Sequence, residues 1–96
     1  MKFIKKIIEK IKNRRLKKKK FSYISLIIKD KNYIKKKVME EAYEFCNESK
    51  KNFSKKKFVN EFCDLLFHSL LLFDTHKVSF SLVKKEMNNR FKKKPV

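Results

Sequence analysis

Glycine is absent from this 96-residue chain, and proline (Pro95) and alanine (Ala42) occur once each. With no glycine and no serine- or proline-rich stretch, no flexible linker divides the sequence. Residues 1–96 therefore read as one domain, near the lower size limit for an independent core. Cysteine is scarce. Cys46 and Cys63 form no C-x-x-C arrangement, and no His/Cys cluster has the spacing of a zinc site. They are expected to be reduced, buried and inert thiols of a cytoplasmic protein. Long apolar runs are missing too. The richest, Leu65 to Phe73, includes His68 and Ser69 and falls well short of the ~18 residues that span a bilayer. At the N-terminus, "MKFIKKIIEKIKNRR" interrupts its apolar residues with lysines, which excludes a signal-peptide core.

Acidic residues are the last scarcity: 10 against 28 lysines and arginines, for a formal net charge of +18. Such a balance suits a nucleic-acid or anionic-membrane partner. The basic runs Lys17 to Lys20, Lys35 to Lys37 and Lys55 to Lys57 carry no recognised nucleic-acid reader motif, however. Residues with GC-rich codons are depleted and Lys, Asn, Ile and Phe abound, so mutational drift accounts for many of the lysines. Apolar residues make up 42% and aromatics 14%, too many for a disordered polycation.

What is present is helical periodicity. Phe3, Ile4, Ile7, Ile8 and Ile11 share a face of a basic amphipathic helix within residues 1–20. Phe21 to Ile28 is a short apolar segment that fits a helix or a strand. Asp30 is placed to cap a longer helix carrying Ile34, Val38, Ala42 and Phe45. The pattern breaks at Asn52 and Phe53. Ser54 then caps a helix with a broad face of Phe58, Phe62, Leu65, Leu66, Ser69, Leu70 and Phe73, expected to stop near Asp74 to His76. Val78 and Ser79 resemble the staple and cap of a last helix carrying Leu82, Val83, Met87 and Phe91; residues 92–96 read as a frayed tail. The expected fold is all-α, a bundle of four to five helices whose small core is completed by dimerisation.

The few acids are not scattered. Glu40, Glu41, Glu44, Glu48, Glu61 and Asp64 lie between residues 40 and 64. Glu41 and Glu44 are three apart, as are Glu61 and Asp64, so each pair shares a helix face. If the chain turns at Asn52 and Phe53, the midpoint between 44 and 61 coincides with that between 41 and 64. An antiparallel hairpin then brings four carboxylates to matching heights. Such a cluster is costly without a counter-ion. Hard oxygen donors without His or Cys point to Mg²⁺, with Mn²⁺ as the alternative. Glu40, on the adjoining face, is placed to hold a water. The bland alternative is ordinary surface pairing of Lys37 with Glu41, Lys36 with Glu40 and Lys57 with Glu61, in the less favourable helix order.

"EEAYE" followed by "EFCD" resembles the E-E-x-x-E … E-x-x-D signature of the MazG-type nucleotide pyrophosphohydrolases. With "SYISLI", "KKKVMEEAYEF", "VNEFCDLLFHSLLLF" and "VSFSLVKKEM", residues 21 to 91 resemble one branch of them, the phosphoribosyl-ATP pyrophosphohydrolases of histidine biosynthesis. Ser22, Tyr23, Lys37, Val38, the acids, Leu65, Leu66 and His68 fall on that branch's pattern; Met39 and Asp30 stand where it commonly has glycine. Many relatives carry a fused cyclohydrolase, for which 96 residues leave no room.

The resemblance implies an all-α, MazG-like homodimer. It implies Mg²⁺-dependent hydrolysis of phosphoribosyl-ATP to phosphoribosyl-AMP and pyrophosphate, the second step of the pathway. Glu41, Glu44, Glu61 and Asp64 would hold the metal, Glu40 would be catalytic and Lys37 would bind phosphate. Tyr23 either stacks on the base or packs in the core. His68 either orients Asp64, touches substrate or is simply packed. Hydrolysis of another nucleoside triphosphate is the nearest alternative function; a small nucleic-acid-binding helical protein is a remoter one.

Overall fold

In the computed structural model, described for residues 2–17 and 23–92, the chain forms five helices and no strand. They are α1 (Lys2–Lys17), α2 (Tyr23–Ile27), α3 (Lys31–Asn47), α4 (Lys55–Thr75) and α5 (Ser81–Lys92). Phe21, Ser22, the basic run from residue 18 to 20 and the tail from 93 to 96 lie outside the described residues.

The α3/α4 hairpin is the frame. Asp30 accepts the Tyr33 N–H at 3.0 Å and Ser54 accepts the Lys57 N–H at 3.4 Å, so both expected N-caps form. The connection from 48 to 54 contains Asn52 and Phe53. α4 stops at Thr75 in a Schellman turn: Val78 N–H donates to the Phe73 carbonyl at 3.1 Å and Lys77 N–H to that of Asp74 at 3.0 Å. Lys77 takes the left-handed position, φ 55°, that glycine usually fills.

α1 packs on α4 and α2, and α2 packs on α3. The core they close is almost wholly aliphatic: Ile4, Ile11, Ile27, Ile28, Ile34, Leu70 and Leu71. The segment ambiguous in sequence is therefore helical, because one turn buries Ile27 and Ile28 side by side while Ile24 packs beneath them. Ser25 Oγ donates to the Arg14 carbonyl at 3.1 Å, and Arg15 pairs with the nearly buried Asp74 at 2.9 Å, fastening the end of α1 to α2 and α4.

Four sequence expectations shift. Phe3 is exposed rather than on the buried stripe, which narrows to Ile4 and Ile11 with Ile7 and Ile8 partly covered. On α4 the buried residues are His68, Leu70 and Leu71 while Phe62 is exposed, because α1 covers a second side of that helix. Cys46 and Cys63 are free but exposed, since both fall off the faces that α3 and α4 turn to each other. Val78 is exposed and forms no staple, although Ser79 Oγ does accept the Ser81 N–H at 3.3 Å. Among the described residues, α5 buries nothing and packs closely on no other helix; Leu82, Met87 and Phe91 stand exposed.

Candidate active site

Beyond the aliphatic core, toward the turn, the hairpin interior changes character. Phe45 of α3 sits against Phe58 and Phe62 of α4, ring centroids 4.7 and 5.3 Å apart, and Phe53 closes on Phe58 at 5.3 Å. These contacts fix the register that the acidic spacing requires, with residue numbers of facing positions summing to about 105. Between this aromatic cluster and Ile34 lies the acidic band.

Glu41 occupies the buried stripe of α3 with Ile34, only 8% exposed. Burial raises its pKa, the electrostatic interaction with His68 opposes that rise, and the Asp64 charge adds to it. Glu61, opposite on α4, is also raised. Desolvation comes first, then a hydrogen bond shared with the Glu44 carboxyl and the charges of Glu44, Asp64 and Glu48. Glu44 thus acts on Glu61, and Asp64 on both Glu41 and Glu61. The hairpin brings Glu41, Glu44, Glu61 and Asp64 together. It also adds Glu48, one turn beyond Glu44, a residue the signature does not include. Glu40 sits on the adjoining, exposed face of α3 and pairs with Lys37 at 3.8 Å, both partly exposed.

None of the surface pairs expected for Glu41, Glu61 and Glu40 with Lys37, Lys57 and Lys36 forms among the described residues. Instead Glu48 Oε1 and Glu61 Oε2 are buried without a hydrogen-bond donor, and Glu41 Oε1, also without a hydrogen bond, lies against His68 Nδ1. Carboxylate oxygens hidden from water and unpartnered are what a hard divalent cation satisfies. By donor type and charge the residues fit such an ion. As they stand, no three acid, histidine or cysteine side chains among the described residues are gathered at coordinating positions.

His68 is the residue that sequence reasoning placed least well. Its Nδ1 lies against Glu41 Oε1 and donates to the Asp64 carbonyl at 3.0 Å, while Nε2 meets the Tyr23 hydroxyl at 2.8 Å. It therefore touches Glu41, not the Asp64 carboxyl. Tyr23, on α2, is 40% exposed, with its ring 6.3 Å from that of Phe67 and its hydroxyl 3.4 Å from that of Tyr33. Burial and the Tyr33 hydrogen bond raise its pKa, so the phenol stays protonated.

A family model described as phosphoribosyl-ATP pyrophosphohydrolase matches residues 4–91, nearly the whole chain. The chain belongs to the phosphoribosyl-ATP pyrophosphohydrolase family. Among curated proteins and solved structures, none matches it significantly. Membership of the phosphoribosyl-ATP pyrophosphohydrolases makes it a hydrolase of a phosphoanhydride, with a nucleotide substrate, in histidine biosynthesis. The match begins at Ile4, so it takes in the first helix, where the motif resemblance is weaker. In this family member, no described helix is long and apolar enough to cross a membrane.

Proposed function

We propose that the chain catalyses the second step of histidine biosynthesis: hydrolysis of the α–β phosphoanhydride of phosphoribosyl-ATP, giving phosphoribosyl-AMP and pyrophosphate, as a cytoplasmic homodimer. The observation that carries this reading is the placing of Glu41 and Glu44 opposite Glu61 and Asp64 in the hairpin, with Glu48 Oε1 and Glu61 Oε2 buried and without a donor. Glu41, Glu44, Glu61 and Asp64 would hold a Mg²⁺ ion, with Mn²⁺ as the alternative. When bound, that ion neutralises triphosphate charge and acidifies a water. Glu40 accepts the proton of the attacking water. The water oxygen forms the new P–O bond as the bridging α–β P–O bond breaks and pyrophosphate leaves with the electron pair. Lys37, one turn before Glu41 and partly exposed, binds a phosphate, and Tyr23 offers its exposed ring to a base. A reaction that depends on positioning and charge more than on covalent chemistry suits so small a site.

The homodimer reading rests on α5. Its Leu82, Met87 and Phe91, with Leu26 and Phe62 elsewhere, leave more apolar side chain in water than a small helical domain usually tolerates. A second copy is the occupant with matching apolar faces. The test of function is incubation with phosphoribosyl-ATP and, separately, with the ordinary nucleoside triphosphates, with and without Mg²⁺. Pyrophosphate release from phosphoribosyl-ATP alone, dependent on Mg²⁺, is expected. Equal release from the ordinary triphosphates would assign the chain to a broader substrate class.

A further inference from the structure

The acidic signature does not say what holds its most buried member. Glu41 and His68 are the only buried polar residues among an otherwise aliphatic set of described buried side chains. Burying two such groups costs free energy that packing alone does not return. They touch, and the contact continues outward to Tyr23, so one chain of groups crosses three helices: Tyr23 of α2, His68 of α4, Glu41 of α3.

The order of hydrogens along this chain follows from its two ends. The Asp64 carbonyl, 3.0 Å from Nδ1, can only accept, so Nδ1 carries a hydrogen; in the neutral ring Nε2 then accepts from the Tyr23 hydroxyl, 2.8 Å away. The imidazole proton then sits on Nδ1. That N–H points at the Asp64 carbonyl at 3.0 Å, and Glu41 Oε1 lies beside it, off the N–H line and without a hydrogen bond of its own. Both ring nitrogens are thereby occupied and the ring is clamped, with Phe67 edge-on at a centroid distance of 5.1 Å. The buried oxygen of Glu41 rests against this clamped ring, which restricts the carboxylate.

We propose that His68 and Tyr23 are positioning residues for Glu41: the Tyr23 hydroxyl locks His68 in its Nδ1–H form, and His68 holds the Glu41 carboxylate ready for a divalent cation. The proposal rests on the reading of Glu41 as a cation ligand. It gives α2 a second task besides covering the core. A five-residue helix is too short to hold itself, and its hydroxyl anchor couples its placement to the acidic band.

The test uses full-length, substrate-free protein and Mg²⁺ alone. Mg²⁺ affinity is measured by calorimetry and by the shift in melting temperature on adding Mg²⁺. The His68 tautomer is read from long-range ¹H–¹⁵N NMR correlations. Wild-type His68 is expected as the Nδ1–H tautomer, and Tyr23→Phe, which should fold normally because it deletes one part-exposed hydroxyl, is expected to lose that single form. His68→Leu should weaken Mg²⁺ binding by roughly 10- to 100-fold, the usual effect of removing an outer-shell partner of a ligand. His68→Asn, whose amide N–H can stand where Nδ1–H stood, should recover most of that loss, and Tyr23→Phe should give a smaller weakening. An Nε2–H tautomer in the wild type would overturn the proposal. So would wild-type Mg²⁺ affinity in folded His68→Leu and Tyr23→Phe, the result expected if His68 only packs. Absence of any Mg²⁺ effect on the wild type would instead remove the cation site itself, and the proposal with it, whatever the tautomer.

Discussion

The two halves of the α3/α4 hairpin interior are built on opposite principles. Near the start of α3, Ile34 meets Leu70 and Leu71 under a roof of α1 and α2, and every contact lowers the free energy of the folded chain. Two turns further along, Glu41 and then Glu44 face Asp64 and Glu61, where partial burial and mutual repulsion raise it. The same two helices, in one register, carry both. The aliphatic half and the phenylalanine cluster at the turn hold in place a band of charge that would push two isolated helices apart. Stability and the site are thus separable along the hairpin.

The largest effect expected from breaking that separation is on turnover. Glu44→Gln and Asp64→Asn should lower pyrophosphate release from phosphoribosyl-ATP by orders of magnitude, because each deletes a charge from the cation site with little change in shape. Their metal-free melting temperatures should stay level or rise, and their gain on adding Mg²⁺ should shrink. Unchanged release by both variants would end the assignment of these residues.

At the other half the pattern reverses. Leu71→Ala, at a fully buried position, should cost about 2–5 kcal/mol in denaturant unfolding, through lost transfer free energy and the cavity left behind. Mg²⁺ affinity of the folded fraction should be preserved. A cost under ~1 kcal/mol would show that the aliphatic half is not what holds the hairpin.

The pH dependence of stability distinguishes the halves without mutation. Glu41 and Glu61 have folded pKa values raised above their unfolded ones. Their contribution is fully present below the unfolded carboxylate range and is lost as pH rises through the folded values. Acidifying metal-free protein from pH 7 toward 5 should therefore raise its melting temperature, and Glu61→Gln should flatten that slope. With Mg²⁺ the sign should invert, since protons compete with the ion for the same oxygens. A melting temperature independent of pH and of Mg²⁺ would contradict the description of the band as uncompensated.

The smallest effect expected lies at the end of α4. Lys77→Gly removes the penalty of a side chain at φ 55° and should stabilise by about 0.5–1 kcal/mol, after allowing for the greater freedom of glycine in the unfolded chain. A loss on chemical denaturation would mean that the Lys77 side chain makes a contribution larger than the strain.

Much of this was legible in the sequence because it depends on neighbours along the chain. Asp30 and Ser54 cap their helices through bonds to the third residue on, and the equal spacing of Glu41–Glu44 and Glu61–Asp64 about the turn announced the hairpin. The contacts of His68 were not legible. Tyr23 and His68 are 45 residues apart, and nothing local says that a short apolar segment will bring a phenol to that imidazole. One sign was available. Glu41 continues the stripe of Ile34 and Val38 at helical spacing, so a carboxylate was due to face the interior, where it needs an answering group. The exposure of Cys46, Cys63 and Phe62 was missed because apolar content suggests burial, whereas the angular position around each helix decides it.

The projecting last helix carries a consequence for how much complete protein a cell contains. A helix of twelve residues that packs closely on no other described helix is marginal in water. If the proposed homodimer forms through α5, the order of this helix depends on mass action: at low concentration of the chain it frays, and it becomes whole as copies accumulate. Abundance, a property of expression rather than of any one molecule, thereby enters the folding equilibrium of the final segment.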